Sequence, residues 1–432
     1  MFMRIITSII LIWCCSFVKA QHHIVYDNNI ASLQVVAGQR WQDLPIIKLG
    51  GSEKIHVSFD ELSHEYRRYT YNLTHLEHDW TDSYGLMSSD YISGERVGLI
   101  IDDYEESINT TQNYTHYHLQ LPNADCRIRL SGNYRLDIFD DNSDTPDSPV
   151  ITAYFMVNED KLNASIGYTT DTDIDVRRSH QQAEVKVDYK GVQATSPRTQ
   201  IKGYVLQNNS WDNAVKLPQS TSINQQYMEW THCRPLIFDG DNEYHKFEIL
   251  DIHRNSFNVE NNTWDAKQQI WHTYVWPDYK RYSYVYDETP KGSFYIRNSD
   301  NSENNTTSEY VIVHFTLQAE EPFPYPVYVD GTWSTIYANN PDRYLMTYDK
   351  MSKAYMCEIP LKYGYYSYHY VMKKNITDRN GNTSTKYLIP PTEGSFYETA
   401  NNYTVLFYYR GNIDRTDRLV GVASFSKSNN RR

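Results

Sequence analysis

The sequence predicts an all-β fold of three consecutive antiparallel β-sandwich domains behind a signal peptide. Short runs of alternating apolar and polar residues, bounded by Gly, Pro, Asn or Asp, recur along the chain, and no long helical period follows residue 20. The 432 residues include 39 tyrosines, a residue suited to strands and to surfaces where one end is buried and the other wet. A chain of this length accommodates about two to four domains.

Met1 to Ala20 reads as a leader. Arg4 gives a basic start, Ile5 to Val18 an apolar run short for a bilayer, and Val18-Lys-Ala20 a small-residue cleavage site before Gln21. Leu-Ile-Trp before Cys14 is too bulky for a lipoprotein site. The mature chain is therefore expected to be exported and, lacking a later apolar run of membrane length, soluble or peripherally bound. The formal net charge is −13, and loss of Arg4 and Lys19 makes it more acidic, which argues against nucleic acid as a partner. Cys126, Cys233 and Cys357 remain after the leader, with no Cys-x-x-Cys or Cys/His spacing for zinc or redox work; they read as partly buried free thiols.

The first domain is expected over residues 21–160. Leu33 to Val36, Ile46 to Leu49, Lys54 to Phe59, Tyr69 to Leu76, His116 to Leu121, Asn133 to Phe139 and Ile151 to Val157 read as strands, with turns at Pro122-Asn123 and Ser131-Gly132-Asn133. Asp102, Asp103, Glu105 and Glu106 lack the alternating spacing of a calcium loop and read as a solvated acidic connection. His116 and His118 share a strand face, but no third ligand is fixed among His64, His75 and His78; strand-surface histidines are expected, and no metal.

A middle domain is expected over residues 161–318, with strands at Ala183 to Asp188, Ile201 to Leu206, Tyr244 to Ile249 and Trp271 to Trp276. The polar stretch Ser299 to Ser308 reads as disordered. Trp211, Trp230, Trp264, Trp271 and Trp276 are either a sugar-stacking platform or core; alternate aromatics in a β domain read as core.

A third domain is expected over residues 319–432, after the stiff proline-rich linker Glu320 to Pro326. Val327 to Trp333, Ala354 to Ile359, Tyr363 to Val371 and Tyr403 to Tyr409 are its strands. The last puts Tyr403, Val405, Phe407 and Tyr409 on one face and Thr404, Leu406 and Tyr408 on the other, so both faces need cover. After it, Asp414 and Asp417 stand among Arg410, Arg415 and Arg418 just before Leu419-Val420. These five charged residues are the candidate partner-binding segment. The alternative is a solvated hairpin, whose exposed ion pairs contribute less than about 1 kcal/mol each.

Catalytic patterns fail by inspection: there is no Gly-x-Ser-x-Gly elbow, no His-Glu-x-x-His, no phosphate-cradling loop and no dinucleotide fingerprint. A binding or structural role is expected, with no catalytic residues and no cofactor.

The run from Glu393-Gly-Ser-Phe-Tyr-Glu398 through Tyr403-Thr-Val-Leu-Phe-Tyr-Tyr-Arg410 to Asp417-Arg-Leu-Val-Gly421 resembles the C-terminal signature of the type IX secretion plug proteins of Bacteroidetes-type bacteria. Leu119-Gln-Leu-Pro-Asn123, Ser131-Gly-Asn-Tyr134, Val205-Leu-Gln-Asn208, Trp211-Asp-Asn-Ala214 and Tyr295-Ile-Arg-Asn298 follow the same family order, so the resemblance covers nearly the whole mature chain. It implies a non-enzymatic periplasmic protein at the inner face of the outer membrane. Such a protein binds and closes the periplasmic opening of the type IX outer-membrane β-barrel translocon when no substrate occupies it. The third domain also looks like the early-set immunoglobulin-like domains beside starch-acting enzymes, which makes immunoglobulin-like sandwiches the expected fold. Ile336 and Tyr337 stand where a second tryptophan would follow Trp333 in those carbohydrate binders. A glycan-binding protein and a glycoside-active enzyme are the alternatives.

Overall fold

The computed structural model describes residues 21–94, 98–299, 303–377, 381 and 383–427; the leader lies outside the described residues. An alternating strand leaves one apolar face that a second sheet must cover, and the chain does this three times. In the first sandwich, one sheet contains Ile24–Val25, Pro149–Asn158, Gly132–Asp140, Tyr69–Leu76 and Leu99–Ile101, and the other Ile30–Ala37, Ile55–Glu61, Thr115–Leu121 and Asp103–Glu106. Ile55, Val57, Phe59, Tyr117, Leu119 and Leu121 point inward as the period of two requires.

Many of the tyrosines fill these cores. Tyr69, Tyr117 and Tyr134 are fully buried; Tyr117 Oη donates to the Arg67 carbonyl at 3.0 Å and Tyr134 Oη to the Leu130 carbonyl at 2.6 Å. Two of these phenols thus occupy the core with their hydroxyls on carbonyls at the sandwich end, while Tyr69 Oη has no hydrogen-bond partner among the described residues.

The linear boundary expected at residues 318/319 does not follow the sheets. Ile201–Gln207 pairs antiparallel with Asn402–Tyr409, from Ile201 opposite Tyr409 to Gln207 opposite Tyr403, and Arg418–Ser426 extends that sheet. The opposing sheet is Asn163–Thr169, His180–Asp188, Tyr227–Trp230 and Ser222–Ile223. The middle sandwich is therefore discontinuous, and its two C-terminal strands return to it across an inserted third sandwich. That insert runs from His245–Ile249 to Thr383–Leu388. Its ends meet, since Asn242 Nδ2 donates to the Glu393 carbonyl at 2.7 Å. Tyr310–Gln318 pairs with Ala354–Lys362, so residues 320–326 connect strands within the insert and do not link domains.

The two faces of Asn402–Tyr409 are covered by different sandwiches. Tyr403, Val405, Phe407 and Tyr409 enter the middle core. Leu406 and Tyr408 join Leu76, Trp80, Met156, Tyr204, Trp211 and Leu419 in a separate cluster on the seam with the first sandwich. The first and inserted sandwiches are sewn together by Ile24 and Val25, which pair in parallel with Ile336 and Tyr337.

Other expectations change with packing. Within the polar stretch, residues 300–302 lie outside the described residues, but Asn304–Thr307 forms a helical turn with Thr306 buried. Tyr114 Oη donates to the carbonyls of Asn305 and Ser308 at 3.1 and 2.9 Å, which orders this segment against the first sandwich. Trp211 and Trp230 are core, whereas Trp264 and Trp276 are exposed. His116 is buried beneath the insert instead of lying on a strand surface. Cys126 and Cys233 are buried free thiols, and Cys357 is a half-buried one.

Candidate docking surface

Residues 410–418 leave the middle sandwich and lie along the first. Asp417 is 2% exposed. Its backbone N–H donates to Glu77 Oε2 at 2.8 Å, and its carboxylate accepts from Lys202 Nζ at 2.9 and 3.1 Å. Burial would raise this carboxyl, but Lys202 and the nearby His78 outweigh it and hold it below its usual range, while burial pushes Glu77 up. Arg418 reaches Glu159 Oε1 at 3.4 Å and Asp414 Oδ2 at 2.9 Å, and its guanidinium lies 5.7 Å from the Tyr409 ring centroid. Asp414 also accepts from the Gly411 N–H at 2.8 Å, closing the turn.

Arg410 and Arg415 differ from these three. Arg410 donates to the Arg415 carbonyl at 2.5 Å and lies 3.7 Å from Glu77. Arg415 bridges to Asp90 Oδ2 at 2.9 Å and to the Gly85 carbonyl at 3.2 Å. Their side chains stay 42% and 57% exposed. The expected segment thus divides: Asp414, Asp417 and Arg418 hold the seam together, and Arg410 and Arg415 face outward. The sequence pattern of alternating charges did not separate these roles, because the acids that select them come from distant positions.

Arg415 also brings two apolar loop tips side by side. Tyr84 and Met87 flank the Gly85 that it contacts, and Ile413 stands two residues before it; these side chains are 93%, 74% and 95% exposed. Large apolar groups left bare at a loop tip beside arginine have the composition of an interface hot spot. Sequence reasoning overlooked Tyr84 and Met87. Their signal was an apolar group, Tyr84-Gly-Leu-Met87, inside a run otherwise made of turn residues.

The seam beneath the tips is expected to loosen in acid. His78 Nδ1 is hydrogen-bonded to Tyr204 Oη at 2.8 Å, and burial, helped by Lys202, pushes its pKa down to about 4. A histidine released on unfolding titrates near about 6.5, so the preference for neutral His78 stabilises the fold above that value. The contribution is lost as pH falls toward 4. The denaturation midpoint is expected to fall from pH 7.5 to pH 5, and by less in His78→Gln, as measured by denaturant titration at both pH values.

Residues 30–159 match the family described as type 9 secretion system plug protein, 1st domain. A hypothetical protein of Parabacteroides merdae, known from its crystal structure, is 36% identical over 94% of this chain and 99% of its own, with a TM-score of 0.86. The chain belongs to the type IX secretion plug family. No curated protein matches it. The family match covers the first sandwich, whereas the likeness to the P. merdae protein extends through the middle and inserted ones. Membership of the plug family points to a structural role in type IX secretion, to a periplasmic or outer-membrane-associated location, and to contact with a component of that system.

Proposed function

We propose that this plug-family protein closes the periplasmic opening of the type IX outer-membrane β-barrel translocon while no substrate occupies it, acting by binding and without catalysis. The observation that carries the reading is the plug-domain match of the first sandwich. The contact surface is the pair of tips formed by Tyr84, Met87, Ile413 and Arg415, with Arg410 at its rim. Asp414, Asp417 and Arg418 support that surface from behind. Buried seams and a returning C-terminal segment suit a part that must hold its shape under the load of a pore mouth.

Capture of the tagged protein from detergent-solubilised outer membranes tests this. Recovery of a large β-barrel is expected, and its absence would refute the reading. The triple variant Tyr84→Ala, Ile413→Ala, Arg415→Ala is expected to keep its melting temperature within a few degrees, since exposed changes usually cost within about 0.5 kcal/mol each. Barrel recovery should fall more than tenfold. Arg418→Ala should instead lose about 1–2 kcal/mol of stability, through its ion pairs and Tyr409 contact. Undiminished capture by the triple variant would remove the tips from the contact surface.

A further inference from the structure

A cavity of about 600 Å³ opens where the three sandwiches meet. Leu33, Gln34, Val35 and Val36 all border it. Successive residues of a regular strand point to opposite faces, so Gln34, Val35 and Val36, which follow the bulge at Ser32 and Leu33, border one space together where that space lies off the strand's edge. The pairing agrees. Ile30–Ala37 is the outermost strand of its sheet, and Gln34, Val35 and Val36 pair on one side only, with Ser58, Val57 and His56. A second edge faces the same space: Lys386, Tyr387 and Leu388 also border it in succession, at the end of a strand that pairs only with the Gly364–Thr377 strand.

The cavity's chemistry is aromatic and acidic. Trp41, Trp80 and Trp211 border it, and Trp80 Nε1 is a buried donor without a partner among the described residues. Five aspartates border it against two lysines, one of which, Lys291, already pairs with Glu243. Asp212 pairs with His22 at 2.7 Å, and Asp330 and Asp241 with His369 at 3.2 and 3.7 Å, so the exposed Asp43 and Asp239 carry the negative charge at the cavity. Its volume lies in the range of about 300–1,000 Å³ usual for ligand sites.

We propose that this cavity binds an extended, lysine- or arginine-bearing polypeptide segment that adds as a strand to the free edge Leu33–Val36. Main-chain bonds to the edge supply affinity, the half-buried Trp41 takes a side chain, and the exposed Asp43 and Asp239 select for cations. The site lies on walls from all three sandwiches, its lining includes none of Tyr84, Met87, Ile413 and Arg415, and it does not depend on the plug reading.

The test uses the mature protein, with binding followed by tryptophan fluorescence. The probe is a pool of capped hexapeptides with Lys alternating with Val, Thr or Tyr. Two control pools carry Glu in place of Lys, or the Lys sequence with alternate backbone nitrogens methylated. The Lys pool is expected to bind at least tenfold more tightly than either control. Equal binding of the methylated pool overturns strand addition, equal binding of the Glu pool overturns the charge selection, and failure of the Lys pool to bind at millimolar concentration overturns the site. Val36→Pro and the exposed charge reversal Asp43→Lys, Asp239→Lys should each weaken the Lys pool tenfold. The charge-reversal variant leaves the strands intact if the proline variant does not fold, and wild-type binding by it excludes this cavity.

Discussion

Replacing Lys362 with methionine is expected to cost about 3–5 kcal/mol, the usual penalty for leaving a buried charge without its partner. Lys362 Nζ lies 2.7 Å from Asp60 Oδ2, and the two side chains are 1% and 0% exposed. Asp60 also accepts from Tyr310 Oη at 2.6 Å and is hydrogen-bonded to His116 Nδ1 at 2.7 Å; Lys362 donates to the Asn305 carbonyl at 2.5 Å and lies 4.0 Å from the centroid of Tyr114. Burial alone would raise the Asp60 carboxyl, but Lys362 and His116 hold it ionised, so removing the ammonium strands a carboxylate between two sandwiches. The double variant Lys362→Met, Asp60→Asn removes the charge as well and should recover most of the loss. Denaturant titration of wild type, single and double variants checks this; a single variant as stable as wild type would contradict it.

Ending the chain at residue 401 is expected to abolish the middle sandwich altogether. The missing strands Asn402–Tyr409 and Arg418–Ser426 cover Ile201 and Val205 on one face and the Tyr204–Trp211 seam on the other. Excising residues 244–392 and joining the stumps with a short Gly/Ser linker should instead leave two folded sandwiches, because Asn242 and Glu393 already touch. Hydrogen exchange read by mass spectrometry distinguishes the two: residues 163–239 should lose protection in the truncated chain and keep it in the excised one. A linear arrangement with a boundary at 318/319 predicts the reverse.

The outcome for Asn402–Tyr409 illustrates what the sequence carries. Its strand character and its need for two covered faces were legible from Tyr403, Val405, Phe407 and Tyr409 alternating with Leu406 and Tyr408. Which sheets would cover it was not, since an apolar strand fits any open edge and the one at Ile201–Gln207 lies nearly two hundred residues earlier. The polar stretch around Asn305 failed for a related reason. Its composition gives no core of its own, and its order comes from Tyr114 and Lys362 on other elements. In the candidate site, the charges at 410–418 were visible, but Glu77, Asp90 and Glu159, which tie Asp417, Arg415 and Arg418 to the first sandwich, are long-range partners without local signal. Arg415 was legible as a charge of the candidate segment; its contact with the Tyr84 loop became evident only once the two loops were brought together.

If the protein seals a pore as proposed, cells lacking it admit a large antibiotic that wild-type cells exclude. An unsealed translocon passes solutes whether or not cargo is moving, so the account predicts that deletion cells become sensitive while type IX cargo export continues, and that wild-type protein restores exclusion. The Tyr84→Ala, Ile413→Ala, Arg415→Ala variant should not restore it. Deletion cells that exclude the antibiotic as well as wild type would contradict the account.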